Sequence, residues 1–102
     1  MNNDGEYLSS IVEVQFGNSL TAIGGPNLLS GCASLTAVEI PLGISTLDSN
    51  AFRKTGLYSV DIPGSISYIM TATFVYCNNL SSVRFNEGLE TIGSWSFGGT
   101  PL

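Results

Sequence analysis

A short pattern of apolar positions recurs along the chain. In residues 35–41, apolar side chains occupy the first, fourth and sixth places, and a proline follows them. The same spacing starts again at Ile11, Leu57 and Leu80. Apolar and polar residues that alternate over a short run predict a β-strand with one buried face, and proline ends such a strand because it cannot donate a hydrogen bond to the neighbouring strand. The sequence therefore predicts four short strands in equivalent settings.

The four strand segments belong to longer repeats. Their central valines, at positions 14, 38, 60 and 83, are spaced 24, 22 and 23 residues apart, and two further apolar columns keep the same steps. Repeats of this kind stack side by side and bury one continuous core. The predicted core residues are Ile11, Val14, Phe16, Leu20, Ile23, Leu28, Leu35, Val38, Ile40, Ile44, Leu47, Phe52, Leu57, Val60, Ile62, Ile66, Ile69, Phe74, Leu80, Val83, Phe85, Leu89, Ile92 and Phe97.

Repeat length and apolar spacing together predict the fold class. A period of about 20 to 29 residues with this spacing is typical of leucine-rich repeats, in which each coil has a short strand on one side and a return segment on the other. We therefore expect an α/β-type repeat solenoid, a right-handed leucine-rich-repeat coil of four repeats of 22–24 residues with short parallel strands on one face. The returns, such as residues 48–52 and 70–74, are too short for full helices, so turns, 3₁₀ turns or short helices are expected there.

The chain is predicted to form a single domain, because its 102 residues are close to the usual size of one hydrophobic core. The four coils are expected at approximately residues 8–31, 32–54, 55–76 and 77–102. Leu102 follows Phe97 at the spacing that separates Phe52 from Leu57, which is where another strand would begin. We therefore expect a fragment or unit of a longer array, and self-association through terminal coils whose strands lack a neighbour.

Particular residues within this pattern carry a family resemblance. The second coil reads Gly31-Cys32-Ala33-Ser34-Leu35, continues to Ile40-Pro41 and ends with Ala51-Phe52. In these positions the chain resembles the BspA-type leucine-rich repeats, and the resemblance extends from about Leu8 onward. It implies a protein at the cell surface or secreted from the cell. In such proteins, found in host-associated bacteria and some protists, the implied role is adhesion to host proteins or to other microbes.

Two coils depart from the family pattern. The first carries Gly17 in place of the proline and Asn27-Leu28 in place of the Ala-Phe pair. In the third, Lys54-Thr55-Gly56 stands where the cysteine and the two residues after it are expected. These coils are looser matches, and the first is a candidate cap.

Charge and composition exclude several classes of function. The net charge is −5 and the cations are Arg53, Lys54 and Arg84 alone, so no basic surface is available to neutralise nucleic-acid phosphates. Histidine is absent, which excludes Ser-His-Asp triads and most zinc sites. No run approaches the ~18 apolar residues of a membrane-spanning helix. We predict neither an enzyme nor a protein that binds a cofactor or nucleic acid or inserts into a membrane.

The two cysteines occupy one column of the predicted stack. Cys32 precedes Leu35 by three residues and Cys77 precedes Leu80 by three, so the cysteines lie two coils apart. Neighbouring parallel strands are ~4.8 Å apart. The cysteines are then separated by roughly 9–10 Å, more than the ~7 Å between Cα atoms that a disulfide tolerates. We therefore expect two free, buried thiols.

Polar residues at the outward strand positions form the candidate binding surface on the open face of the sheet. Stacking Glu39 on Asp61 is unfavourable for like charges, and Arg84 can offset Asp61 only. Two interpretations stay open: a binding surface, with or without a cation, or charges that are simply screened by solvent. The residues predicted to bind are Glu13, Gln15, Glu39, Ser59, Asp61, Ser82 and Arg84.

Four aromatic residues fall outside the core columns, namely Tyr58, Tyr68, Tyr76 and Trp95. Exposed aromatic rings supply much of the energy of protein interfaces, whereas Trp95 has a second interpretation, that it covers the open end of the last coil. The pattern and the resemblance together favour a protein-binding or adhesion module that contacts a protein partner, such as a host extracellular protein, through the open sheet face. The alternative is a structural spacer with no ligand of its own.

Overall fold

A computed structural model describes residues 10–17, 19, 21–23 and 28–102 of the chain. Six short strands lie within these ranges, and no α-helix does. The strands are β1 (Ala22–Ile23), β2 (Thr46–Leu47), β3 (Ser59–Ile62), β4 (Tyr68–Ile69), β5 (Ser82–Phe85) and β6 (Thr91–Ile92). Leu8 and Leu20, where the sequence placed the start of the first coil and one core residue, lie outside the described residues, as does Asn27.

The strands form two parallel sheets. β1, β2, β4 and β6 make a four-stranded sheet in that order, and β3 pairs with β5. In the larger sheet Ile23 lies beside Leu47, Leu47 beside Ile69, and Ile69 beside Ile92. These partners are 24, 22 and 23 residues apart along the chain, so each segment pairs with its equivalent one repeat away. The predicted repeat steps and this core column are therefore confirmed.

Two of the four predicted strands form, and two do not. β3 and β5 fall on the predicted segments, pair Val60 with Val83 in the expected register, and β3 ends immediately before Pro63. Residues 11–16 and 35–40 form no strand. Tyr58 N–H still donates to the Thr36 carbonyl at 3.2 Å, but beyond this bond no backbone hydrogen bond joins residues 37–40 to β3. The four-stranded sheet was not predicted, because strands of two residues are too short for an alternating pattern to reveal.

The core is formed by inward side chains of the second and third coils. Every predicted core residue of these two coils is buried except Val38, which is half-buried. The core thins toward the last coil, where Phe85 and Ile92 are 45% and 47% exposed. Both were predicted to be buried. They are exposed because β5 and β6 are the last strands of their sheets and have a neighbour on one side only.

The first coil presents Leu29, and not the predicted Leu28, to the core. Leu29 is buried, whereas Leu28 is 44% exposed. The Leu29 amide donates to the Ala51 carbonyl, just as the Phe52 amide donates to the Thr73 carbonyl one coil later. Leu29 is therefore the equivalent of Phe52. The error arose because Asn27-Leu28 was aligned with the Ala-Phe pair, one residue too early.

Phenylalanines from the last three coils stack along the core. The Phe52 and Phe74 ring centroids are 5.2 Å apart with planes 6° from parallel, and those of Phe74 and Phe97 are 5.4 Å apart at 3°. Phe85 meets the edge of Phe97 at 6.1 Å and 88°. Stacked and edge-on rings add to the energy gained from burying their apolar area. This column links consecutive returns to one another.

Each return is a succession of tight turns, which is the first of the three expected alternatives. The amides of Ala51, Thr73 and Ser96 each donate to the carbonyl three residues before, and equivalent bonds follow around each coil. The turns place two columns of residues in the left-handed region. The first column contains Asn50, Ala72 and Trp95, with φ of 60°, 61° and 60°, and the second contains Gly31, Lys54, Tyr76 and Gly99, with φ of 86°, 60°, 60° and 77°.

The buried thiols belong to a column that alternates with threonine. Cys32, Thr55, Cys77 and Thr100 make the same turn, in which each amide donates to the carbonyl three residues earlier. Thr55, and not Lys54, therefore takes the cysteine position in the third coil. Both cysteines are free and buried, as predicted. The Cys77 thiol lies 3.2 Å from the Thr55 hydroxyl and 3.0 Å from the Phe52 carbonyl oxygen.

Candidate functional site

The two-stranded sheet positions four of the predicted binding residues. β3 and β5 set Ser59 opposite Ser82 and Asp61 opposite Arg84, and all four side chains are exposed. Between them Val60 and Ile62 of β3 point into the core, which fixes the direction of the outward residues because successive side chains of a strand alternate. The predicted pairing of Asp61 with Arg84 across neighbouring coils is thus confirmed at the level of backbone register.

Asp61 is held by an asparagine, and not by the arginine opposite it. Asn86 Nδ2 donates to Asp61 Oδ1 at 2.8 Å and to the Ile62 carbonyl at 2.6 Å. Among the described residues, the side chains of Arg84 and Glu39 form no ion pair or side-chain hydrogen bond. Their charges are therefore free to meet a ligand, whereas one oxygen of Asp61 is already engaged. Asn86 stands where the second and third coils have Pro41 and Pro63, and this departure from the repeat pattern was the signal that could have revealed it.

A cleft opens where the strand segments of the first and second coils lie apart. It has a volume of about 1040 Å³ and is bordered by residues 12–16 on one side and residues 36–39 and 41–43 on the other. Three predicted binding residues line it, namely Glu13, Gln15 and Glu39. Two exposed apolar side chains, Val12 and Leu42, line it as well, and sequence reasoning did not single them out.

A second cleft adjoins the first. It has a volume of about 610 Å³ and lies between residues 38–42, the end of β3 and the end of β5. Glu39, Asp61, Arg84 and Asn86 all line it. Glu39 lines both clefts, so the two are continuous along one side of the second coil. Five of the seven predicted binding residues thus border one depression, and Ser59 and Ser82 lie on the sheet outside it.

The lining of the joined clefts is mainly acidic. Glu13, Glu39 and Asp61 contribute three carboxylates, and Arg84 is the one cation on these walls. In the part of the chain that the structure describes, acidic, cysteine and histidine side chains form no group of three or more that could hold a metal ion. Chemically, the depression offers carboxylate acceptors, one guanidinium donor and apolar edges to an extended polar ligand.

Short parallel strands that repeat every 22 to 24 residues, with turns as returns, define a leucine-rich-repeat protein. The family model of the BspA type leucine rich repeat region (6 copies) matches residues 6–102, and the chain belongs to this family. Such proteins are generally not enzymes and are typically surface-associated or secreted. Comparison with curated proteins and with solved structures finds no match. Among the described residues no helix is both long enough and apolar enough to cross a membrane.

Proposed function

We propose that the chain is a protein-binding or adhesion module of a cell-surface or secreted leucine-rich-repeat protein, and that it binds a protein partner through the open sheet face. The observation that carries this proposal is the joined depression. Residues from three coils converge on it, although they were selected by repeat position alone. The proposal includes a right-handed coil of four repeats, with limits near residues 8–31, 32–54, 55–76 and 77–102.

The chemistry of the depression favours a polypeptide ligand with basic side chains. Glu39 and Arg84 have no charged partner among the described residues, so binding does not first require an internal ion pair to be broken. Complementary charges accelerate association and select against wrong partners. Val12 and Leu42, which are 69% and 80% exposed, offer apolar contacts at the rim. A partner such as a host extracellular protein would place lysines or arginines over the carboxylates and an apolar residue against this rim.

The experiment is a binding screen of the whole chain against a panel of purified host extracellular proteins immobilised on sensor surfaces. For any protein that binds, the variant Glu39→Lys/Asp61→Lys should reduce affinity at least ~10-fold, since two carboxylate contacts become repulsive. The matched control, Glu87→Lys/Glu90→Lys, makes the same change of charge at exposed residues that line neither cleft, and it should leave affinity within about twofold.

The alternative function, a structural spacer, predicts a different outcome. A spacer has no ligand of its own, so no panel member would bind, or binding would respond equally to both charge-reversal variants. Equal far-ultraviolet circular dichroism of the two variants is required for the comparison, because loss of fold would imitate loss of contact. Affinity that is unchanged by Glu39→Lys/Asp61→Lys would contradict the open-face proposal.

A further inference from the structure

Two exposed aromatic rings rest on one glycine pair in the return of the last coil. A Cβ placed on Gly98 would overlap the Trp95 ring, and one placed on Gly99 would lie 2.8 Å from Cδ1 of Tyr76. Each ring therefore occupies the space that a side chain at the glycine would fill. Trp95 is nevertheless 68% exposed and Tyr76 is 47% exposed. Both rings have backbone beneath them and a broad surface open to solvent.

Comparison of equivalent positions shows that this arrangement belongs to the last coil alone among the three compared. The amides of Arg53, Val75 and Gly98 donate to the carbonyls of Asn50, Ala72 and Trp95 respectively, which makes these three pairs equivalent. In the second and third coils a small or polar residue is paired with a larger one three positions later. In the last coil the order is reversed, with tryptophan followed by glycine. The glycine leaves room for the ring to lie flat against the turn.

Neither ring is placed for folding. Trp95 and Tyr76 both have φ of 60°, the left-handed region that bulky side chains avoid. Glycine, asparagine, alanine and lysine occupy the equivalent positions of other coils. Two large rings thus stand at positions that disfavour them and bury little of their area in return. Bulky residues held in sparsely populated conformations at a surface point to a functional role.

The surroundings of the rings lack charge. No aspartate, glutamate, lysine or arginine occurs in residues 62–83 or 91–102, which include the returns of the last two coils. Exposed side chains there are neutral hydrogen-bonding groups such as Thr71, Asn78, Asn79 and Ser94. The open sheet face differs, because Glu39, Asp61 and Arg84 meet there. The two faces are therefore suited to ligands of different chemistry.

We propose that Trp95 and Tyr76 form a carbohydrate-binding platform, which takes the pyranose rings of a neutral polysaccharide or glycan. The negative face of an aromatic ring attracts the slightly positive C–H groups on the flat side of a sugar ring. Neutral hydroxyl and amide side chains at the margin suit the hydrogen bonds of sugar hydroxyls and impose no charge requirement. This site is separate from the open sheet face and does not depend on the function proposed for it.

The test uses neutral hexasaccharides of glucose, mannose, xylose and N-acetylglucosamine as probes. Trp95 is the only tryptophan of the chain, so its fluorescence reports on the platform directly. At least one hexasaccharide should shift or quench this emission with a saturable titration, and isothermal calorimetry should give the same dissociation constant. Trp95→Ala and Tyr76→Lys, which borrow Ala72 and Lys54 from the equivalent positions, should each weaken binding ~10-fold or more.

A further variant disturbs the platform without removing a ring. Gly98→Val introduces the residue that Val75 provides one coil earlier, so the turn tolerates it, but the new side chain displaces the Trp95 ring. Binding should fall as in Trp95→Ala. Tyr58→Ala, which removes an exposed tyrosine elsewhere, is the control and should leave binding unchanged.

The proposal is overturned if no hexasaccharide binds at millimolar concentration, or if Tyr76→Lys binds as tightly as the natural chain. It is equally overturned if Tyr58→Ala loses as much affinity as Trp95→Ala. A panel protein whose binding requires Trp95, with no saccharide bound, would instead make the rings a protein contact.

Discussion

Gly56 lies directly against the carbonyl oxygen of Ala33 in the preceding coil, so closely that a Cβ on residue 56 would overlap it. The contact arises at the point where the third coil is one residue shorter than its neighbours. Cys32 precedes Leu35 by three residues, whereas Thr55 precedes Leu57 by only two. The Gly56 amide also donates to the Cys32 carbonyl at 3.4 Å, which draws the two backbones together.

Gly56→Ala should therefore destabilise the fold by about 1–3 kcal/mol, the usual cost of forcing extra atoms into a packed site. The atom in conflict belongs to the backbone and cannot rotate away. Gly17→Ala is the matched control, since a Cβ there would meet no atom within 4 Å. Urea titration of both variants measures the difference, and equal midpoints would contradict the close approach.

Removal of a ring from the phenylalanine stack should be costly in the middle of the column. Phe52 and Phe74 are fully buried, so Phe52→Ala or Phe74→Ala should lose roughly 3–5 kcal/mol of unfolding free energy. Phe97→Ala should lose less, because Phe97 is only half-buried. Thermal melts followed by circular dichroism would reveal the order, and a melting temperature for Phe74→Ala within a degree of the natural chain would show that its ring is outside the core.

The core position of the first coil can be tested by a pair of neighbouring variants. Leu29→Ala removes a buried side chain and should cost about 2–5 kcal/mol, whereas Leu28→Ala removes an exposed one and should cost less than about 1 kcal/mol. Chemical denaturation distinguishes them directly. A larger effect of Leu28→Ala would restore the alignment expected from the sequence.

The buried thiols predict a loss of stability in alkaline solution. Burial raises the pKa of both Cys32 and Cys77, and a hydrogen bond with Thr55 offsets part of the rise at Cys77. Because the unfolded chain releases these protons at lower pH than the folded chain, stability is complete below the unfolded thiol pKa of ~8.5 and falls as the pH rises above it.

Urea midpoints measured from pH 7 to 9.5 should therefore decrease in the natural chain. They should decrease less in Cys32→Ala/Cys77→Thr, in which the second change borrows the residue found at positions 55 and 100 of the same column. Thiol titration should find two reactive groups per chain in denaturant and slow reaction in buffer. Identical pH dependence of the two proteins would contradict the prediction.

Self-association through the last coil is predicted at high concentration. β5 is an edge strand, and the side chain of Phe85 beside it is 45% exposed, so backbone groups and apolar surface are available together to a second copy. Light scattering from micromolar to millimolar concentration should show the average mass rising. Phe85→Glu should suppress this rise, while Leu42→Glu, at an exposed leucine away from β5 and β6, should not. A monomeric mass throughout would mean that the edge is protected.

The apolar columns were predictable because every coil must supply the same core. The alignment of Val60 with Val83 and of Ile69 with Ile92 followed from spacing alone. Positions where coils differ were harder. The shift from Leu28 to Leu29 and the shortened link before Leu57 required hydrogen bonds that only the structure supplies.

The candidate site was predictable in part for the same reason. Outward residues of β3 and β5 could be assigned, since side chains alternate along a strand. The separation of residues 37–40 from β3 could not, and it creates the cleft beside Glu39. Asn86, a departure from proline at one repeat position, engages Asp61 through a contact that no repeat rule contains. The aromatic platform was also beyond sequence reasoning, because it depends on where Gly98 and Gly99 leave space.

The inter-coil hydrogen bonds have a kinetic consequence. Each joins residues 21 to 26 positions apart, so no such bond spans more than about one repeat. Folding of this chain then resembles the closing of a zipper. Once the second and third coils, which hold the buried core, have met, each further coil is added by closing one loop of constant length. The barrier should lie at that first meeting, and amide hydrogens should exchange most slowly between residues 44 and 80 and progressively faster toward both ends.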